Sequence, residues 1–92
     1  MSSKPISRIA IIGVGQVGGA TAYSLILDSI ASELLLVDTD SDRRDVQVRD
    51  LADVTYAGLS STRVRAATHH EAGQCDLVVI TAGSRYYLGE GL

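Results

Sequence analysis

The sequence predicts an α/β fold in which a parallel sheet of order 3-2-1-4 carries helices on its faces. Three observations predict it. Apolar runs of strand length recur around residues 6–12, 33–38 and 76–83 without polar alternation, the mark of parallel strands covered on both faces. Stretches with three- and four-residue apolar spacing follow the first two runs. The first strand-to-helix junction carries three glycines spaced G-x-G-x-x-G, at Gly13, Gly15 and Gly18.

Strand one covers residues 6–12 and is nearly all apolar. Helix one follows over residues 15–28. Val14, Val17, Thr21 and Leu25 recur at helical steps, and Ala22 and Ile26 widen the stripe. Small residues at Gly18, Gly19, Ala20 and Ala22 favour close approach to the sheet, and Asp28-Ser29 ends the helix. Strand two runs from Glu33 to Asp38. Thr39 to Ser41 offer N-caps for helix two, from about Asp42 to Tyr56, with a stripe of Val48, Leu51, Ala52 and Thr55. Its charges read as a solvated face, with Asp45–Arg49 and Arg49–Asp53 spaced as i,i+4 pairs. Ala57 to Ser61 is a turn. Strand three, Arg63 to Ala67, alternates: Val64 and Ala66 share one face, Arg63 and Arg65 the other, as in an edge strand with a wet side. His69 to Gln74 is a connector with the length of one helical turn. Strand four, Asp76 to Gly83, is again of the fully buried type. Right-handed crossovers then give the 3-2-1-4 order, the first half of a doubly wound domain.

The glycines carry the chemistry. Gly13 allows a sharp turn off the strand, Gly15 lets a pyrophosphate approach the main chain, and Gly18 seats the helix close to the sheet. The N–H groups around Gln16 and Val17, at the helix start, face an anion with the favourable end of the helix dipole. Asp38 ends the next strand twenty residues beyond Gly18, which completes a dinucleotide-binding fingerprint of the Rossmann type. Its carboxylate suits ribose hydroxyls and repels a 2′-phosphate, so NAD is expected over NADP. Arg43 and Arg44 fall within helix two and read as solvent-facing. Thr81, Ala82 and Gly83 fall at the carboxyl edge of the sheet, where ligands of open α/β folds bind.

Composition narrows the partners. With 92 residues, 46% hydrophobic and 21% charged, the chain fits one small globular domain, residues 1–92. A net charge of −3 without a basic patch argues against nucleic acid. No apolar run approaches a membrane span. Met1 to Pro5 lack an apolar signal core, and a single cysteine, Cys75, fits a reducing compartment, so a cytoplasmic location is expected. Cys75 reads as a small core residue, and His69-His70-Glu71 as a solvated loop without metal.

With these motifs in place, the chain resembles the N-terminal, NAD-binding part of the lactate/malate dehydrogenase family, closest to its L-lactate branch. The likeness runs from about Arg8 to Glu90. It rests on the glycine triad, Asp38, the segment from Asp76 to Gly83, and Arg49-Asp50-Leu51. The resemblance implies hydride transfer between NAD and a 2-hydroxy acid such as lactate, with a 2-keto acid as the other partner. It also implies roles for single residues. Gly13, Gly15 and Gly18 would line the pyrophosphate, Asp38 would hold the adenosine ribose, Thr81, Ala82 and Gly83 would pass under the nicotinamide ribose, and Arg85 would reach the cofactor phosphates. Family members are commonly dimers or tetramers, which implies a homo- or hetero-oligomer.

The departures from the family are specific. Gly91 and Leu92 stand where the family has Ser/Thr and the arginine that polarises the substrate carbonyl. Tyr86 stands where lactate enzymes carry glutamine and malate enzymes arginine. The family's proton-transferring histidine, its aspartate partner and the arginine that clamps the substrate carboxylate have no counterpart here. The 92 residues are therefore expected to supply the cofactor-binding part, with no catalytic residue and no turnover alone. Strand four is expected to form an apolar edge that lowers solubility. Two alternatives accompany this reading: a non-catalytic NAD-binding module or truncated paralogue that assembles with a partner, and a malate dehydrogenase type.

Overall fold

Continuous apolar strands must be covered on both faces, and the alternation of strands with helices provides that cover. The computed structural model describes residues 6–81. The elements run β1 (Ile6–Ile12), α1 (Gln16–Leu27), β2 (Ala31–Val37), α2 (Ser41–Tyr56), β3 (Arg63–Ala66), α3 (His69–Ala72) and β4 (Leu77–Ile80). The four strands form one parallel sheet in the order β3-β2-β1-β4, as expected. Ile9 pairs with Leu34 of β2 and Leu77 of β4, and Ile11 with Leu36 and Val79.

Two cores result, one on each face. Ile9, Ile11, Leu34 and Leu36 meet Ala22 and Ile26 of α1 and Leu51 of α2. Ala10, Leu35 and Val37 turn the other way and pack with Ala67 and Ala72 of α3. Strand periodicity of two sends neighbouring residues to opposite faces, which is why β1 and β2 read as unbroken apolar runs. Cys75 packs against the smaller core. Burial pushes its thiol pKa up, so it remains protonated.

Several elements depart from expectation. Helix α1 buries Gly18, Ala22 and Ile26, whereas Val17 is 58% exposed. The buried positions are spaced four residues apart, a single face of the helix, and Gly18 lets that face come close to the loop at the end of β1. Strand β4 is not fully buried: Leu77, Val78 and Ile80 are exposed, with Ile80 at 69%. It pairs with β1 on one side and forms an edge of the described sheet. On α2, Asp45, Arg49 and Asp53 are exposed, as a solvated face requires, and Asp45 pairs with Arg44, Nε to Oδ1 at 3.0 Å. The segment after β3 takes the form of one helical turn, so His69-His70-Glu71 is helical and not a solvated loop. Thr68 caps it, accepting from the Glu71 amide at 3.1 Å while Glu71 accepts from the Thr68 amide at 2.9 Å.

Candidate dinucleotide site at the carboxyl ends of the strands

The carboxyl ends of β1, β2 and β4 converge on the loop from Gly13 to Gly15. The sheet order changes direction between β1 and β4, and an open α/β sheet offers its crevice at such a point. Gly13 has φ +94°, a conformation that favours glycine, and its amide donates to the Val37 carbonyl at 2.8 Å. The loop is thereby tied to the end of β2. On the other side, Thr81 donates from Oγ1 to the Gly13 carbonyl at 2.5 Å and from its amide to Ile12 at 2.9 Å.

The three glycines meet different surroundings. A Cβ at Gly18 would overlap the Gly13 carbonyl oxygen and stand 2.9 Å from Thr81 Oγ1. Close packing of helix against loop requires glycine there. Gly15 is different: its φ of −72° suits any residue, and a Cβ would meet nothing within 4 Å. The protein's own packing does not require glycine at this position, and the space before it is open. Gly15 is also the N-cap of α1, and no side chain caps that end. The first N–H groups of the helix, including Gln16 and Val17, lack intrahelical partners. A diphosphate fits here: bare backbone, open approach and a helix N-terminus coincide.

Asp38 lies one residue past β2 with its side chain only 4% exposed. Oδ2 accepts from the Val14 amide at 2.8 Å, and Oδ1 from the Asp40 amide at 2.8 Å. Burial opposes the charge, but the Val14 and Asp40 amides and the Arg43 guanidinium outweigh it and hold the Asp38 pKa below its ordinary value. The carboxylate is therefore fixed, ionised, and joined to the glycine loop through Val14. An ionised carboxylate is the acceptor type that ribose hydroxyls need.

Arg43 is not solvent-facing as its place in helix two suggests. Its guanidinium folds back onto Asp38, with Nη2 3.1 Å from both carboxylate oxygens and Nε 3.3 Å from Oδ2. The cause is the start of α2. Asp40 is the N-cap and accepts from the Arg43 amide at 3.0 Å, which places the third helical residue beside the end of β2. An arginine five residues after the acidic one, with a capping residue between, is the signal that could have located it. Ala82, Gly83, Arg85 and Tyr86 lie outside the described residues. Among the described residues, no cluster of three His, Cys, Asp or Glu side chains could hold a metal ion. Glu71 is committed to Thr68 and to Arg65, whose Nη1 lies 3.0 Å away.

Comparison with known proteins gives a consistent result. The family model described as lactate/malate dehydrogenase, NAD binding domain, matches residues 7–91. L-lactate dehydrogenase A of Rhizopus oryzae is 48% identical over 84 residues, which are 91% of this chain and 26% of that protein. L-lactate dehydrogenase 2 of Enterococcus faecalis is 40% identical over 83 residues, again 26% of its length. Among solved structures, the minor L-lactate dehydrogenase of Enterococcus mundtii, in a ligands-bound form, superposes with a TM-score of 0.79 at 32% identity, over 87% of this chain and 26% of that one. The enzyme from Cryptosporidium parvum, complexed with lactic acid and nicotinamide adenine dinucleotide, gives 0.75 at 27% identity, over 87% and 25%. The chain thus spans about a quarter of the length of the relatives it matches.

Proposed function

From the premise that this chain belongs to the lactate/malate dehydrogenase family, as its NAD-binding domain, we propose that it is the cofactor-binding part of an NAD-dependent L-lactate-type dehydrogenase. The protein that carries it transfers hydride between NAD and a small 2-hydroxy acid. The names of its relatives support this substrate class. The observation that carries the cofactor assignment is Gly15: a glycine its own fold does not require, at an uncapped helix start, facing open space.

NAD supplies the hydride chemistry through its nicotinamide ring. The residues of this chain bind and orient it. The amides of Gln16 and Val17 would hold the pyrophosphate against Gly15, where a side chain would stand in the way. Gly13 and Gly18 set the loop, and Asp38 would accept from the adenosine ribose. Thr81, with Ala82 and Gly83, would border the nicotinamide ribose, and Arg85 would reach the phosphates. Binding at several points fixes the reactive ring before the chemical step, which is the positional part of catalysis. Among the described residues no helix is long and apolar enough to cross a membrane. The single cysteine supports a reducing compartment, and we place the protein in the cytoplasm.

The test is NADH titration by fluorescence. Gly15→Ala in the protein that carries this chain is expected to weaken NADH binding by on the order of tenfold or more, because a methyl group displaces the diphosphate from its amide donors. An unchanged dissociation constant would overturn the assignment.

A further inference from the structure

A ribose that docks on Asp38 finds its acceptor positions filled. A carboxylate offers about four in-plane lone-pair sites. The Val14 amide and Arg43 Nε hold Oδ2, and the Asp40 amide and Arg43 Nη2 hold Oδ1. A vicinal diol needs two of these sites. The amides cannot give theirs up without moving the glycine loop or the α2 N-cap, since both belong to the backbone there. Arg43 can: its side chain is 39% exposed, and its guanidinium can reach water when it swings away.

We propose that Arg43 selects the cofactor, competing with the adenosine ribose hydroxyls for Asp38 and, once displaced, standing as a cationic partner for a 2′-phosphate. The inference rests on the assignment of Asp38 to the ribose. A lone aspartate at this position repels a 2′-phosphate by like charge. Here Asp38 and Arg43 together are formally neutral, and a guanidinium is well shaped to take phosphate oxygens. Arg44 does not share the task, because it pairs with Asp45. Asp40 and Asp42 stand at the start of the same helix and keep the balance toward the unphosphorylated ribose. The site therefore prefers NAD, but by a narrower margin than Asp38 alone would set.

The experiment measures dissociation constants for NADH and NADPH in the protein that carries this chain, alongside Arg43→Gln and Arg43→Lys. Arg43→Gln should bind NADH about two- to fivefold more tightly, the competition an exposed ion pair offers. It should bind NADPH on the order of tenfold more weakly, through loss of a charged hydrogen-bond donor to phosphate. Arg43→Lys should keep NADPH binding nearer to that of the parent. The two affinities moving in opposite directions is the signature, since a general disturbance of the fold would weaken both. If Arg43→Gln weakens NADH, or leaves the NADH-to-NADPH preference unchanged while the parent binds NADH, the role of Arg43 is overturned and the nucleotide site stands. If the parent binds neither dinucleotide, the nucleotide site fails and this inference with it.

Discussion

Three glycines in one motif do three different jobs, and substitutions should separate them. Gly18 faces the Gly13 carbonyl, which is backbone and cannot move aside. Gly18→Ala is expected to destabilise by about 1–3 kcal/mol, read as a lowered urea midpoint. Gly15→Ala should change stability by about 1 kcal/mol or less, the scale of an N-cap exchange, while lowering nucleotide affinity. Asp38 adds a pH dependence. Its folded pKa lies below the ordinary value, so the unfolded chain takes up the proton first as pH falls. Its contribution to stability is complete above the ordinary aspartate range and is lost as pH descends through the lowered pKa. Asp38→Asn should flatten that part of the acid limb, measured by denaturant unfolding at a series of pH values.

Among the elements, α3 shows how four residues hold a helical turn. Thr68 and Glu71 satisfy each other's amides, and Arg65 of β3 secures Glu71 from the sheet. Thr68→Ala should cost about 1 kcal/mol, with the loss concentrated in amide exchange of residues 69–72. The Thr-x-x-Glu spacing is a capping-box pattern, but the two histidines between them give the segment the composition of a solvated loop. Strand β2 is the opposite case, stable through burial rather than local signals. Leu34 and Leu36 are fully enclosed between β1, β3 and the α1/α2 face. Leu34→Ala should cost about 2–5 kcal/mol, the range for a large-to-small change in a packed core.

At the scale of the whole molecule, the sheet is asymmetric. The β3 side ends in charge: Arg65 pairs with Glu33 at 3.0 Å and with Glu71, so that edge has a polar rim. The β4 side presents Leu77, Val78 and Ile80. An apolar strand edge is a template for another strand. The 92 residues produced alone should self-associate as concentration rises, and Ile80→Lys should lower the apparent mass in sedimentation. A monomer at high concentration without the substitution would contradict this.

The sequence by itself determined the order of elements, the parallel sheet and the family. Those depend on local signals: unbroken apolar runs, glycine spacing, and an acidic residue at a strand end. It also marked Gly13, Gly15, Gly18 and Asp38 as a group, because a turn, a close approach and a terminal carboxylate each need particular residue types. Only the tertiary structure decided which face of α1 is buried and that Arg43 turns back onto Asp38. Each of these is set by distance between segments far apart in the chain or by the exit angle of a helix. Periodicity gives a stripe but not its rotation, and a charge on a helix has no direction until the N-cap fixes where that helix begins.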